Sequence, residues 1–128
     1  MGIKRDAADI WFSKAVRLRD GNRCVVCGKD QSLEAAHIYG RRLKSVRWSL
    51  DNCLAMCHYH HRYYTEQPIE FRDYLHKLYG DGHMEMLREK AQQVFKATAA
   101  VKKEIAKHYR DEVRKAEADP AYKIISYN

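Results

Sequence analysis

The sequence predicts an α+β domain: two short strands and a following helix (a ββα core) gathered around a structural zinc knuckle, with an N-terminal helix before it and a long C-terminal helix behind it. Three observations carry that expectation. Two pairs of metal-ligating side chains share the same two-residue gap, Cys24 with Cys27 and Cys57 with His60. Between them lies a short apolar run, LEAAHI, bounded by turn residues. On either side, apolar residues recur at helical spacing. At 128 residues the chain has the length of one ordinary domain. Within a single domain over 1–128 we place the zinc and ββα core at 22–66, a helical extension at 68–118 and a tail at 119–128.

In chain order, residues 8–20 put Trp11, Ala15 and Leu18 on one helical face before Asp20, Gly21 and Asn22 break the pattern. CVVCGKD reads as a tight turn held by two cysteines and a glycine. LEAAHI is too short and too bounded for a helix and reads as a strand over 33–38. The basic stretch YGRRLKSVRWSLDN reads as a loop followed by a second short strand near Val46 to Ser49, closing a hairpin. From Asn52 no Gly or Pro intervenes until Pro68, so a helix is expected over at least the second half of that segment. Pro68 then opens another, in which Phe71, Leu75 and Leu78 keep helical spacing and Gly80 is a natural stop. One long helix is expected from 82 to 118, with Leu87, Ala91, Val94, Thr98, Val101 and Ile105 along one stripe, ended by Asp119 and Pro120. The final AYKIISYN is apolar enough to dock, at a place the pattern does not specify.

Twenty-four Lys and Arg against 17 Asp and Glu leave a formal charge of +7. Such an excess raises affinity for polyanions without bearing on fold, and makes nucleic acid, DNA in particular, the leading partner. No apolar run approaches bilayer length and nothing resembles a signal peptide, so a cytoplasmic protein with no membrane association is expected. In that reducing compartment four cysteines are poor disulfide candidates, and metal is the better reading.

Structural zinc wants four thiolate or imidazole ligands, usually delivered as two short pairs. Cys24, Cys27, Cys57 and His60 meet that requirement, with one ion stapling the turn to the start of the helix. Cys53 competes with Cys57, but as a small buried hydrophobe it needs no metal. A zinc held this way is a fold element and not a catalytic ion.

Once the zinc ligands are assigned, His37 in the strand, Asn52 at the end of the hairpin and His61 on the helix remain, spaced 15 and then 9 residues apart. That order, carried by CVVC, LEAAHI, the DN of SLDN and MCHYHH, resembles the HNH, or ββα-metal, endonucleases. The run SVRW, DN, the C-x-x-H-H of 57–61 and EQPIEFRDYLHKLYG is similar, more closely, to the NinG/Rap family of phage recombination nucleases, which cut branched DNA. The resemblance covers about residues 24–80. It departs at His60, where the family usually has cysteine, at His61, where it often has asparagine, and at Glu66 and Gln67, where it usually has Gly-Asn. It implies His37 as general base, Asn52 as the residue that ties the hairpin together, His61 as ligand of a divalent catalytic ion, and products carrying 5′-phosphate and 3′-hydroxyl.

The residue types suit that chemistry independently. Phosphodiester hydrolysis needs a group of near-neutral pKa to take a proton from water, which histidine supplies. It also needs a Lewis acid beside the phosphate, which Mg²⁺ or Mn²⁺ supplies. Hard ions prefer oxygen to a lone imidazole, and with Ala36 occupying the position before the base, Glu34 on the same strand face is the second candidate ligand. A solitary histidine in AAHI would ordinarily be a hydrogen-bonded core residue, and Asn52 a helix cap. His37, Asn52 and His61 in register favour the catalytic reading. His58, His76, His83 and His108 are read as surface or packing residues.

Arg41, Arg42, Lys44 and Arg47 cluster between base and asparagine and are the candidate contacts to the DNA backbone, with Arg62 beside His61 joining them. The basic residues near the end of the long helix read as a solvated face. Its apolar stripe permits either packing on the small core or pairing with a second copy as a homodimer. Two further readings compete with a branched-DNA endonuclease: a zinc-stabilised DNA-binding module without catalysis, favoured by Ala36, and a generic phage HNH nicking or packaging endonuclease.

Overall fold

Helix α1 (Ala7–Arg19) opens on a reciprocal cap: Asp6 Oδ1 accepts the backbone N–H of Asp9 at 3.1 Å, and Asp9 Oδ2 accepts that of Asp6 at 2.9 Å. The computed structural model describes residues 4–128. α1 buries Ala8, Phe12, Ala15 and Val16. At its end the Arg19 guanidinium donates to the Leu50 carbonyl at 2.6 Å, and Asp20 accepts the Ala55 amide at 2.8 Å. Both contacts tie the helix to the sheet.

Strand β1 (Leu33–His37) pairs antiparallel with β2 (Cys53–Cys57) in the register Leu33 to Cys57 and His37 to Cys53. All five residues of β2 are buried because each face of this small sheet is covered. Successive side chains alternate between faces. Ala35, Cys53 and Ala55 pack with α1 against Ile105, Tyr109 and Val113. Ala36, Leu54 and Met56 pack beside the cysteine turn against Leu75 and Met84. A strand covered on both sides reads as an unbroken apolar run, which is what CLAMC is.

The second strand therefore lies at 53–57, and not near Val46 to Ser49. That earlier segment forms a short helix, α2 (Lys44–Arg47), and a 3₁₀ turn, Leu50–Asn52. The alternation of Val46, Trp48 and Leu50 imitates a strand, but every residue from 45 to 50 is buried. Its backbone groups find partners other than a neighbouring strand: the Asn52 amide donates to the Val46 carbonyl at 3.1 Å, and the Leu50 N–H donates to Ser126 Oγ at 3.0 Å.

Helix α3 (His58–Glu66) leaves β2 directly, and α4 (Pro68–Tyr79) follows with Pro68 in its first turn. It stops at Gly80, whose φ of 86° lies where glycine is favoured. The expected single helix from 82 to 118 is instead two, α5 (Asp81–Ala91) and α6 (Ala99–Ala118). Val94, assigned to the apolar stripe, is 95% exposed. Thr98 restarts the helix by accepting the Val101 N–H at 3.1 Å on its hydroxyl. The break swings α6 back onto α1, where Val101 and Ile105 of the stripe pack within the chain beside Tyr109 and Val113.

The tail docks on the connection between the strands. Tyr109 donates its hydroxyl to the Trp48 carbonyl and accepts the Tyr127 N–H at 3.0 Å, and Asn128 Nδ2 donates to the Ser45 carbonyl at 3.0 Å. Among the described residues no helix is long and apolar enough to cross a membrane.

Candidate metal centre and catalytic cleft

Cys24 and Cys27 sit in the turn before β1, Cys57 ends β2 and His60 lies in the first turn of α3. The strand pairing brings the two pairs together, and their four ligand atoms lie within 4.8 Å of one another. Cys27 Sγ is 3.9 Å from Cys57 Sγ, and His60 Nδ1 is 3.3 Å from Cys57 Sγ and 4.0 Å from Cys24 Sγ. Four ligands at zinc–sulfur distances near 2.3 Å would stand about 3.8 Å apart on a tetrahedron. The cluster can therefore hold a zinc ion. Burial would raise the Cys24 thiol, but backbone N–H groups of Cys57, Cys27 and Val26 directed at it outweigh that and lower it, which favours thiolate. Cys53 differs. It packs at the far end of β2 among the residues of α1 and α6, outside the ligand cluster, and full burial pushes its thiol up to about 12, so it stays a protonated core residue.

Asn52 is fully buried. Its amide donates to the carbonyls of Tyr39 (2.9 Å) and Val46 (3.1 Å), while its Oδ1 accepts the Tyr39 N–H at 2.8 Å. One side chain thus pins both ends of the connection between the strands.

His37, the last residue of β1, has Nε2 3.0 Å from the Arg47 carbonyl. A carbonyl can only accept, so Nε2 carries the proton and Nδ1 keeps the lone pair. Burial against Phe12 lowers its pKa below the usual 6.5, and the Arg47 carbonyl opposes that only in part. The ring is therefore neutral at pH 7.

The Arg47 carbonyl is held from behind. Arg47, expected on the DNA-facing loop, is 3% exposed, and its guanidinium forks onto Asp9 at 2.6 and 2.9 Å. Trp48 Nε1 also donates to Asp9, at 3.1 Å. Burial alone would raise the Asp9 carboxyl, but the Arg47 and backbone hydrogen bonds outweigh it and hold the pKa below 3.8. The Arg47 charge thus faces a buried carboxylate and not solvent, while its backbone carbonyl meets His37. Nothing in the RRLKSVR run distinguishes Arg47 from its neighbours, because the partner is 38 residues away.

Glu34 and His61 also meet. Glu34 Oε1 accepts from His61 Nδ1 at 2.7 Å and Oε2 accepts from His58 Nδ1 at 3.0 Å. Burial would raise this carboxyl, but the two imidazole hydrogen bonds outweigh it and lower it. His58, read from the sequence as a surface residue, is exposed but belongs to this cluster.

His37, Glu34, His61 and Arg41 line one cleft of about 550 Å³. Its opposite wall is α1, which contributes Asp9, Ser13 and Arg17, with Arg5 just before the helix. This wall was not expected from the sequence, although Arg5, Asp9, Ser13 and Arg17 recur every fourth residue and Asp9, Ser13 and Arg17 share one face of α1. Arg42 and Lys44 are exposed nearby in the chain, and Arg62 is exposed on α3, paired with Glu66 at 2.9 Å.

Fold and site together define a small α+β domain with a two-stranded sheet and a Cys₃His cluster suited to zinc. The family model for the NinG protein of bacteriophage lambda matches residues 5–119, and the chain belongs to that family. No curated protein and no solved structure matches it.

Proposed function

We propose that this protein is a metal-dependent HNH-type endonuclease that hydrolyses DNA phosphodiesters, with branched recombination intermediates as substrate. The observation that carries this reading is the state of His37. Its Nε2 is committed to the Arg47 carbonyl, its Nδ1 lone pair is free to take a proton, and its ring lines a basic cleft shared with His61. A general base needs that combination of neutral imidazole, fixed tautomer and access.

Asn52 keeps the base and the basic loop in fixed relation. His61 has Nδ1 against Glu34, which leaves Nε2 to ligate a divalent ion, and a carboxylate behind a metal-binding imidazole is the usual orienting partner. In this reading Glu34 steadies His61 instead of supplying the second ligand. Mg²⁺ or Mn²⁺ held there would supply Lewis acidity to the phosphate and the leaving oxygen. His37 Nδ1 takes the proton of the attacking water. Arg41 lies in the same cleft, and Arg42, Lys44 and Arg62 offer further positive charge for flanking phosphates. Membership of the NinG family and the SVRW to KLYG resemblance support a branched substrate.

The second reading, a zinc-stabilised DNA-binding module without catalysis, is favoured by Ala36. It is 2% exposed on the face opposite His37 and offers nothing to an ion.

The test is cleavage of a labelled four-way junction, a linear duplex and a single strand of one sequence, with Mg²⁺ or Mn²⁺ and without either, using wild type and His37→Ala. Junction-selective, metal-dependent cutting is expected, reduced about 10²–10⁴-fold in the variant with zinc content and DNA binding retained. Equal cutting of all three substrates would keep the nuclease and remove the junction preference, pointing to a general nicking or packaging enzyme. DNA binding with no cutting under any metal would select the binding module.

A further inference from the structure

We infer that helix α1 forms a phosphate-binding wall of the cleft, with Arg17 and Arg5 as the contacts to the DNA strand that runs past His37. The inference rests on the reading of this cleft as a DNA site and adds residues that lie outside the zinc core.

Arg5, Asp9, Ser13 and Arg17 form one wall of the cleft. Asp9, Ser13 and Arg17 keep one helical face while neighbouring positions Ala8, Phe12 and Val16 go to the core, and Arg5, just before the helix, lines the same cleft. The wall faces Leu33, Ala35 and His37 on β1 across the cleft. Its centre is neutral: Asp9 is matched by Arg47, and Ser13 is a small hydroxyl. Its two ends are guanidinium groups.

Charge accounting then separates these two arginines from the others. Both carboxylates lining the cleft already have partners, Asp9 with Arg47 and Glu34 with His58 and His61. Arg17 donates Nε back to the Ser13 carbonyl at 3.3 Å, which folds the guanidinium along the helix, and among the described residues neither Arg17 nor Arg5 is paired with a carboxylate. Other arginines outside the cleft are paired where a carboxylate lies in reach, as Arg62 is with Glu66 and Arg88 with Glu85, whereas Arg5 and Arg17 line the same cleft as His37. Unneutralised guanidinium groups beside a proposed hydrolytic base suit a planar, forked anion, and the phosphodiester is that anion. Ten residues of helical rise from Ala7 to Arg17 span roughly 15 Å, and Arg5 lies just beyond the Asp6 cap at the other end. That spans several phosphates of a strand rising about 3.4 Å per nucleotide.

The experiment is a salt titration of binding to uncut four-way-junction and duplex DNA, in a His37→Ala background so that the DNA stays intact. Arg17→Gln, Arg5→Gln and Lys107→Gln are compared, the last being a control in an exposed pair with Asp111 on α6. Glutamine keeps helix propensity, and zinc content with circular dichroism checks the fold. Arg17→Gln is expected to weaken binding and flatten the plot of log affinity against log salt by about one phosphate's worth, a slope change near 0.9 on duplex. Arg5→Gln should do the same and Lys107→Gln should not. Wild-type-like slopes in both arginine variants, with DNA still bound, would overturn the α1 wall and leave the proposed DNA site standing. Absence of binding by the unsubstituted cleft would remove both.

Discussion

The two faces of the same sheet are covered by halves of the molecule that hold together in different ways. On one face, the cysteine turn, α3 and α4 surround a Cys₃His cluster whose ligand atoms are gathered by chain spacing and strand register. On the other, α1, α6 and the tail are joined by aliphatic and aromatic packing around one buried ion pair, Asp9 with Arg47. The first half is built round a cluster able to hold a metal, whose ligating side chains sit at short, regular intervals. The second depends on partners tens of residues apart. His37, the proposed base, stands where the halves meet: it ends a strand that both halves cover, and the carbonyl that orients it is held by the second.

Breaking the metal side should have the largest effect. Cys24→Ser is expected to lower zinc content and cooperative unfolding together, since structural zinc sites of small domains carry about 10 kcal/mol or more of folding free energy. Metal analysis alongside thermal melts checks this, and a variant that loses zinc yet melts as wild type would show that packing alone holds this half.

Asp9→Ala strikes the opposite half. It strands the Arg47 guanidinium in the core and should cost about 3–5 kcal/mol by chemical denaturation, with zinc retained in the folded fraction. A loss under 1 kcal/mol would mean water reaches Arg47 and the pair does not organise this half. Tyr109→Phe is a smaller cut in the same region. It leaves the Trp48 carbonyl and the Tyr127 N–H without a hydroxyl partner, for about 1–3 kcal/mol, and should raise hydrogen exchange in the tail before any other segment.

The subtlest effect concerns the junction of the halves. Burial depresses the His37 pKa, so the base is deprotonated, and cleavage is expected to plateau, from a pH below 6.5 upward. The same depression makes the neutral ring a source of stability that is full above 6.5 and declines as pH falls through the lowered folded value. Arg41 and Arg47 oppose protonation of His37, and Asp9 favours it. Asp9→Asn, which keeps the shape but removes the charge, should therefore move the acid limb of the pH–rate profile lower still. An unmoved limb with an unchanged rate would separate the ion pair from the base.

The Cys₃His cluster and helices α1 and α4 were legible because each is announced by spacing or by a local stop signal. The second strand was misplaced because CLAMC, covered on both sides, lacks alternation, whereas VRWSL has alternation without being a strand. The break at 92–98 carries no Gly or Pro, and its one local sign is the Thr98 cap. Arg47 illustrates the limit most clearly, since four basic residues in one loop look alike until one of them meets a carboxylate.

By itself the sequence determined which reactive residue types this chain brings and at what intervals: four side chains suited to zinc, a histidine followed by an asparagine and a second histidine, and a surplus of positive charge. Each is a matter of residue type and interval along the chain. Tertiary structure alone decided which arginine is buried, which nitrogen of His37 keeps its lone pair, that α6 turns back onto α1, and that α1 walls the cleft. Those outcomes depend on burial and on hydrogen bonds between distant residues, where desolvation makes an unpartnered charge or carbonyl costly and so selects one arrangement among many that local pattern allows.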